Sequence, residues 1–105
     1  MRVLLDECVP GRVAKLLPGH AVWTVSGKGW KSVRNGDLLR RAVGEFDVFV
    51  TVDQGIHRDH PEPSGLAVVT VLARSNRYRD LAPLADDLLH AVGVAQPGRH
   101  YFVGG

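Results

Sequence analysis

The chain has 105 residues, of which 45% are hydrophobic and 23% charged, with a formal net charge of +2. That length fits one domain spanning residues 1–105 around one buried core. The charge is too small for a protein that coats nucleic acid, although a basic balance suits a polyanionic partner.

A single cysteine, Cys8, leaves no internal disulfide and no readable cysteine-based zinc site. No apolar run is long enough to span a bilayer, so no membrane partner is expected. Met1 to Asp6 lack the long apolar run and small-residue cleavage site of a secretory leader. A cytoplasmic location is the expectation that fits these features.

The apolar pattern switches between two periods, which marks alternating strands and helices. Val3-Leu4-Leu5 reads as a strand buried on both faces. Pro10 starts a helix lined by Val9, Val13, Leu16 and Leu17, and Pro18-Gly19 stops it. Ala21 to Val25 is the second strand, followed by a loop from Gly27 to Asn35. Asn35 or Gly36 opens a helix that buries Leu38, Leu39, Ala42 and Val43. Asp47 to Val52 is the third strand. Gln54 to Gly65 reads as a loop with one short helical turn at most, because Pro61 and Pro63 exclude more. Leu66 to Leu72 is the fourth strand, and Asp80 caps a last long helix with Pro83 in its first turn. Leu81, Leu84, Ala85, Leu88, Leu89 and Val92 form its apolar stripe. His100 to Val103 adds a short edge strand. The expected fold class is therefore α/β, a three-layer α/β/α sandwich around a mostly parallel sheet.

In such sheets the site lies outside the carboxyl ends of the strands, where strand order reverses. Asp6-Glu7 follows the first strand, Asp53 the third, and Arg74-Ser75-Asn76 the fourth. Carboxylates gathered there repel one another unless a cation offsets them. An all-oxygen donor set favours Mg²⁺ or Mn²⁺ over zinc. Each acid also has a plainer role. Asp6 or Glu7 suits the start of the helix near Pro10, Asp53 suits a cap at Gln54-Gly55, and Asp37 lies in the first turn of its helix. For Asp6 and Asp53 together the spacing favours a site; for Asp37 alone capping is at least as good a reading. Thr51 reads equally as a buried threonine or as a polar group facing the site. His57 and His60 have metal-ligand character by type, but Pro61 makes a surface loop the better reading. Cys8, with no base beside it, reads as a small buried residue. Arg74, Arg77, Tyr78 and Arg79 combine guanidinium groups with a ring that can stack on a base.

Taken in order, Val-Leu-Leu-Asp6-Glu7, Gly36-Asp37-Leu-Leu, Val-Phe-Val-Thr51-Val-Asp53 and Val-Leu-Ala-Arg74-Ser75 resemble the compact PIN-like toxins over nearly the whole chain. The resemblance implies a PIN-like fold and a metal-dependent endoribonuclease. It also implies the toxin half of a type II toxin–antitoxin pair, with RNA as substrate and a cognate antitoxin protein as partner. It makes Asp6 and Asp53 the ligands of Mg²⁺ or Mn²⁺, Asp37 a third catalytic acid, Glu7 an accessory acid and Thr51 an orienting group. Arg74, with Ser75 and Arg77, would meet the substrate, and the products would carry a 5′-phosphate and a 3′-hydroxyl. Members commonly form homodimers, so a second copy is an expected partner. No fourth acid stands after the fourth strand, where Ser75-Asn76 lies.

Two rivals remain at this point. A catalytically inactive PIN-like domain would bind RNA or protein without cutting. A phosphoacceptor receiver domain shares the acidic pair and the later aspartate, but no lysine follows Lys31.

Overall fold

The computed structural model of the chain describes residues 1–61 and 63–105. Five strands alternate with helical segments in chain order. They are β1 (Arg2–Leu5), a 3₁₀ helix (Gly11–Leu16), β2 (Ala21–Thr24), α1 (Asn35–Ala42), β3 (Val48–Thr51), α2 (Gln54–Asp59) and β4 (Ala67–Leu72). Then come α3 (Tyr78–Leu81), a 3₁₀ turn (Ala82–Leu84), α4 (Ala85–Val94) and β5 (His100–Gly104). The strands form one sheet in the order β2-β1-β3-β4-β5. Every pairing is parallel, with Leu5 opposite Thr24 on one side and Val50 on the other.

The run of apolar residues in β1, β3 and β4 follows from burial on both faces. Val3, Leu5, Val48, Val50, Ala67 and Val69 point to the side covered by Val13 and Leu17 and by Leu81, Leu88 and Val92 of α3 and α4. Leu4, Phe49 and Val68 point the other way, against Leu38 and Leu39 of α1 and Ile56 of α2. Alternate residues of one strand thus serve two cores, which makes the three-layer α/β/α arrangement.

The connections have an uneven hand. The steps β2 to β3 and β3 to β4 move across the sheet in one direction under α1 and α2. The step from β4 to β5 continues in that direction, yet α3 and α4 lie on the opposite face. It therefore has the reverse hand, a form taken by about 2% of parallel crossovers. Among the described residues the face it covers otherwise holds the short helix Gly11–Leu16, so Leu88 and Val92 bury apolar surface that would be bare without them.

Several boundaries differ from those expected. The segment after Pro10 is a 3₁₀ helix, with Pro10 itself as the cap. The segment expected to be at most a short turn is a six-residue helix, α2, because Asp53 caps it and Pro61 lies beyond its end. The last long helix is split. Pro83 lacks an N–H and its ring crowds the preceding turn, so Ala82–Leu84 tightens to 3₁₀ between α3 and α4. Its cap position is Arg77 rather than Asp80, which lies in the first turn of α3. No helix among the described residues is long and apolar enough to cross a membrane.

Candidate functional site

The sheet order places β1 and β3 side by side while their connections leave in opposite directions, the place where a crevice opens at the strand ends. Asp6 follows β1 directly, and its amide continues the ladder to the Val50 carbonyl at 2.9 Å. Its carboxylate is nearly inaccessible, with 6% of the residue exposed. A buried carboxylate needs donors, and Asp6 has three. The Glu7 amide donates to Oδ1 at 2.8 Å, the Thr51 hydroxyl to Oδ2 at 2.7 Å, and the Cys8 thiol to Oδ2 at 3.4 Å.

Thr51 is the last residue of β3 and is fully buried. Its Oγ1 also accepts from the Asp53 amide at 3.0 Å. One hydroxyl therefore joins the Asp6 carboxylate to the backbone of Asp53. Thr51 is thus a buried threonine whose hydroxyl is taken up by Asp6 and the Asp53 backbone. Asp53 is exposed, and its Oδ1 accepts from the Gly55 amide at 2.8 Å as the cap of α2. The cap uses one oxygen and leaves the other free of any hydrogen bond among the described residues. Capping and a place at the crevice are thus compatible for Asp53.

The other expected site residues sit around this pair in different ways. Glu7 is exposed, and its Oε1 accepts from the Ser32 amide at 3.3 Å, tying the long loop after β2 to the end of β1. Asp37 stays apart from the network. It is exposed in the first turn of α1 and ion-pairs with Arg40 of the same helix. Arg74 and Arg77 are exposed beyond β4. Ser75 spends its hydroxyl locally, donating to Asp80 and accepting from the Arg77 amide at 3.0 Å, which shapes the entry into α3. Asn76 Nδ2 donates to the Cys8 carbonyl at 3.0 Å, so the loops after β4 and β1 are joined. The arginine segment therefore borders the same crevice as Asp6.

Three contacts had no clear signal in the sequence. Cys8 is a donor to Asp6 rather than a plain core residue; burial, with the Asp6 charge beside it, pushes its thiol above the ordinary 9.0. Arg12 lies over the Tyr78 ring at 4.4 Å, so a cation already occupies a face of the ring expected to stack on a base. His57 packs edge-on against His100, with ring centroids 4.5 Å apart, and not beside His60 as a metal pair.

The donor chemistry at the crevice is oxygen-based, which suits Mg²⁺ or Mn²⁺ held by one or two carboxylates and completed by water and phosphate oxygens. Among the described residues, no group of three or more His, Cys, Asp or Glu side chains gathers as a ligand set. Asp6 and Asp53 follow the adjacent strands β1 and β3, and Thr51 links the Asp6 carboxylate to the Asp53 backbone amide. A groove of about 380 Å³ between α1 and α2, lined by Leu39, Arg40 and His60, lies away from both.

No known protein family, characterised protein or solved structure matches this chain.

Proposed function

We propose that the chain is a metal-dependent ribonuclease, with Asp6 and Asp53 as the carboxylates that hold Mg²⁺ or Mn²⁺. The observation that carries this reading is the Thr51 hydroxyl, which joins the Asp6 carboxylate to the backbone amide of Asp53 across adjacent strand ends. It makes one acid's position depend on the other, as a shared site requires. The ion, when bound, would supply Lewis acidity at a phosphate and an acidified water. Asp6 keeps a fixed rotamer because three donors hold it, and the cap of α2 uses only one of the two Asp53 oxygens. Arg74 and Arg77 offset the charge that develops on phosphate oxygens. Hydrolysis forms a bond from water oxygen to phosphorus, breaks the bond to the 3′ oxygen and returns a proton to that oxygen. The resemblance to the compact PIN-like toxins extends the reading to a toxin controlled by an antitoxin protein.

The test is RNA cleavage in Mn²⁺ or Mg²⁺ by the native chain beside Asp6→Asn and Asp53→Asn. Cleavage is expected from the native chain only, and is lost with chelator. Equal cleavage by all three would sink the reading.

One observation favours a second reading. Two acids, rather than a larger ligand group, suit a domain of the same shape that binds RNA or a protein without cutting. RNA binding without metal-dependent cleavage would select it. The receiver alternative shares the strand order 2-1-3-4-5. The reversed β4-to-β5 connection and the lack of any lysine beyond Lys31 stand against it. A labile adduct at Asp53 after treatment with acetyl phosphate would revive it.

A further inference from the structure

One cluster of side chains lies outside the crevice. His57 of α2 meets His100 and Phe102 of β5. In the pairing of β4 with β5, His100 stands beside Val68, and Val68 faces α2. Neighbours across a sheet share a face, so His100 and Phe102 turn toward α2 as well. The His57 and His100 rings meet at 75° with their centroids 4.5 Å apart, and Phe102 stacks on His100 at 5.0 Å.

The ring nitrogens of the pair are unevenly satisfied. Nε2 of His100 bonds to the Thr70 hydroxyl at 2.7 Å. Nδ1 of the same ring is buried and has no hydrogen-bond partner among the described residues. Among those residues, His20 and His100 are the histidines whose rings carry hydrogen bonds, so the His57 nitrogens lack partners too. A buried polar atom without a partner is uncommon and points to a water or an ion. Burial and the neighbouring His57 hold His100 down to about 4, so its ring is neutral near neutral pH and one nitrogen keeps a lone pair.

We propose that His57 and His100 form a second metal site, which takes a nitrogen-preferring divalent ion such as Ni²⁺, Cu²⁺ or Zn²⁺. Imidazole suits these ions, whereas Mg²⁺ and Mn²⁺ prefer the oxygen donors of the crevice. Two imidazole nitrogens about 2.0–2.1 Å from one ion, at roughly right angles about it, set their ring centroids about 4.5 Å apart. The observed separation matches. His57 is partly exposed, and a turn of its side chain aims a nitrogen at the ion, while Thr70 holds His100 in place. The ion selects the tautomer in which Nε2–H of His100 donates to Thr70 and Nδ1 bears the lone pair. A ligating imidazole ordinarily makes such an outer hydrogen bond. Phe102 walls one side of the site, and water completes the coordination. The bound ion ties α2, the helix that Asp53 caps, to β5 at the sheet edge. The proposal is independent of the ribonuclease reading.

The test is calorimetric titration of the native chain with Ni²⁺, in excess Mg²⁺ so that the crevice acids are engaged, followed by NMR on the same samples. Binding of a single ion in the micromolar range is expected, and it should raise the melting temperature. Ni²⁺ is paramagnetic, so the signals of His57, His100 and Phe102 should broaden before any others. His57→Ala removes a partly exposed side chain and should weaken binding about tenfold or more. His100→Gln should do the same. His20→Ala should leave binding unchanged, although its ring lies 3.0 Å from the terminal amine, a rival place for the ion. No binding at millimolar Ni²⁺ overturns the proposal. So does a His57→Ala chain that binds as tightly as the native one, or broadening centred on Met1 and His20 or on Cys8.

Discussion

Replacing Thr51 with valine tests the centre of the site with little change of shape. The native hydroxyl is buried, donates to Asp6 Oδ2 at 2.7 Å and accepts from the Asp53 amide at 3.0 Å. A hydrogen bond to a charged group contributes about 1.5–3 kcal/mol, and an abandoned donor costs about 1–3 kcal/mol. The Asp53 amide is only partly buried, so its cost belongs at the low end. The added methyl of valine returns about 0.8 kcal/mol. The sum is a loss of roughly 2–3 kcal/mol. For a chain of this size that lowers the melting temperature by roughly 10–20 °C. Urea titration should show a lower midpoint with an unchanged slope, since the buried surface is the same. Thr51→Ser keeps the hydroxyl and loses only a methyl, so it should recover most of the difference. If valine is within about 0.5 kcal/mol of the native chain, or serine is as damaging as valine, the bridge does not hold the two strand ends together. Under the ribonuclease reading, Thr51→Val also cuts less RNA than Thr51→Ser at a temperature where both are folded.

Three further outcomes are expected. Burial, with His57 beside it, pushes His100 down to about 4 from its ordinary 6.5. The unfolded chain then binds a proton that the folded one refuses, so stability is intact above 6.5 and falls as the pH drops toward 4. The shift sets a ceiling of about 3 kcal/mol, and solvent screening of this partly exposed ring reduces it to about 1–2 kcal/mol; an equally steep acid limb in His100→Gln would refute the cause. Gly104→Ala should destabilise by about 2 kcal/mol or more, measured by thermal melting, because φ is +84° and a Cβ would collide with the Leu72 carbonyl. The Cys8 thiol, raised above 9.0, should react with iodoacetamide at neutral pH roughly tenfold or more slowly than a free thiol. Labelling at the rate of a free thiol would contradict its contact with Asp6.

Much of the architecture was legible because burial on both faces leaves a plain mark. Val3-Leu4-Leu5 and Val48-Phe49-Val50 are continuous apolar runs, and such runs separated by helical periods imply parallel strands with crossovers. The placing of Asp6 and Asp53 at strand ends follows from the same reading. Their link through Thr51 does not, since a threonine in a strand is equally at home as a space-filling β-branched residue. Asp37 shows the converse. Its position in a motif suggested a site acid, but Arg40 three residues on is its partner, and helical spacing alone makes that pair available.

The order of the residues by itself determined the strands, the two-sided core and which carboxylates stand at strand ends, because periodicity is a local property of the chain. Only the tertiary structure decided that β1 and β3 are neighbours, that the last crossover reverses its hand and that Arg12 covers Tyr78. Those outcomes depend on which surfaces compete for burial at long range. Leu88 and Val92 take the face that the 3₁₀ helix leaves open, and nothing in their own neighbourhood in the sequence says which face that is.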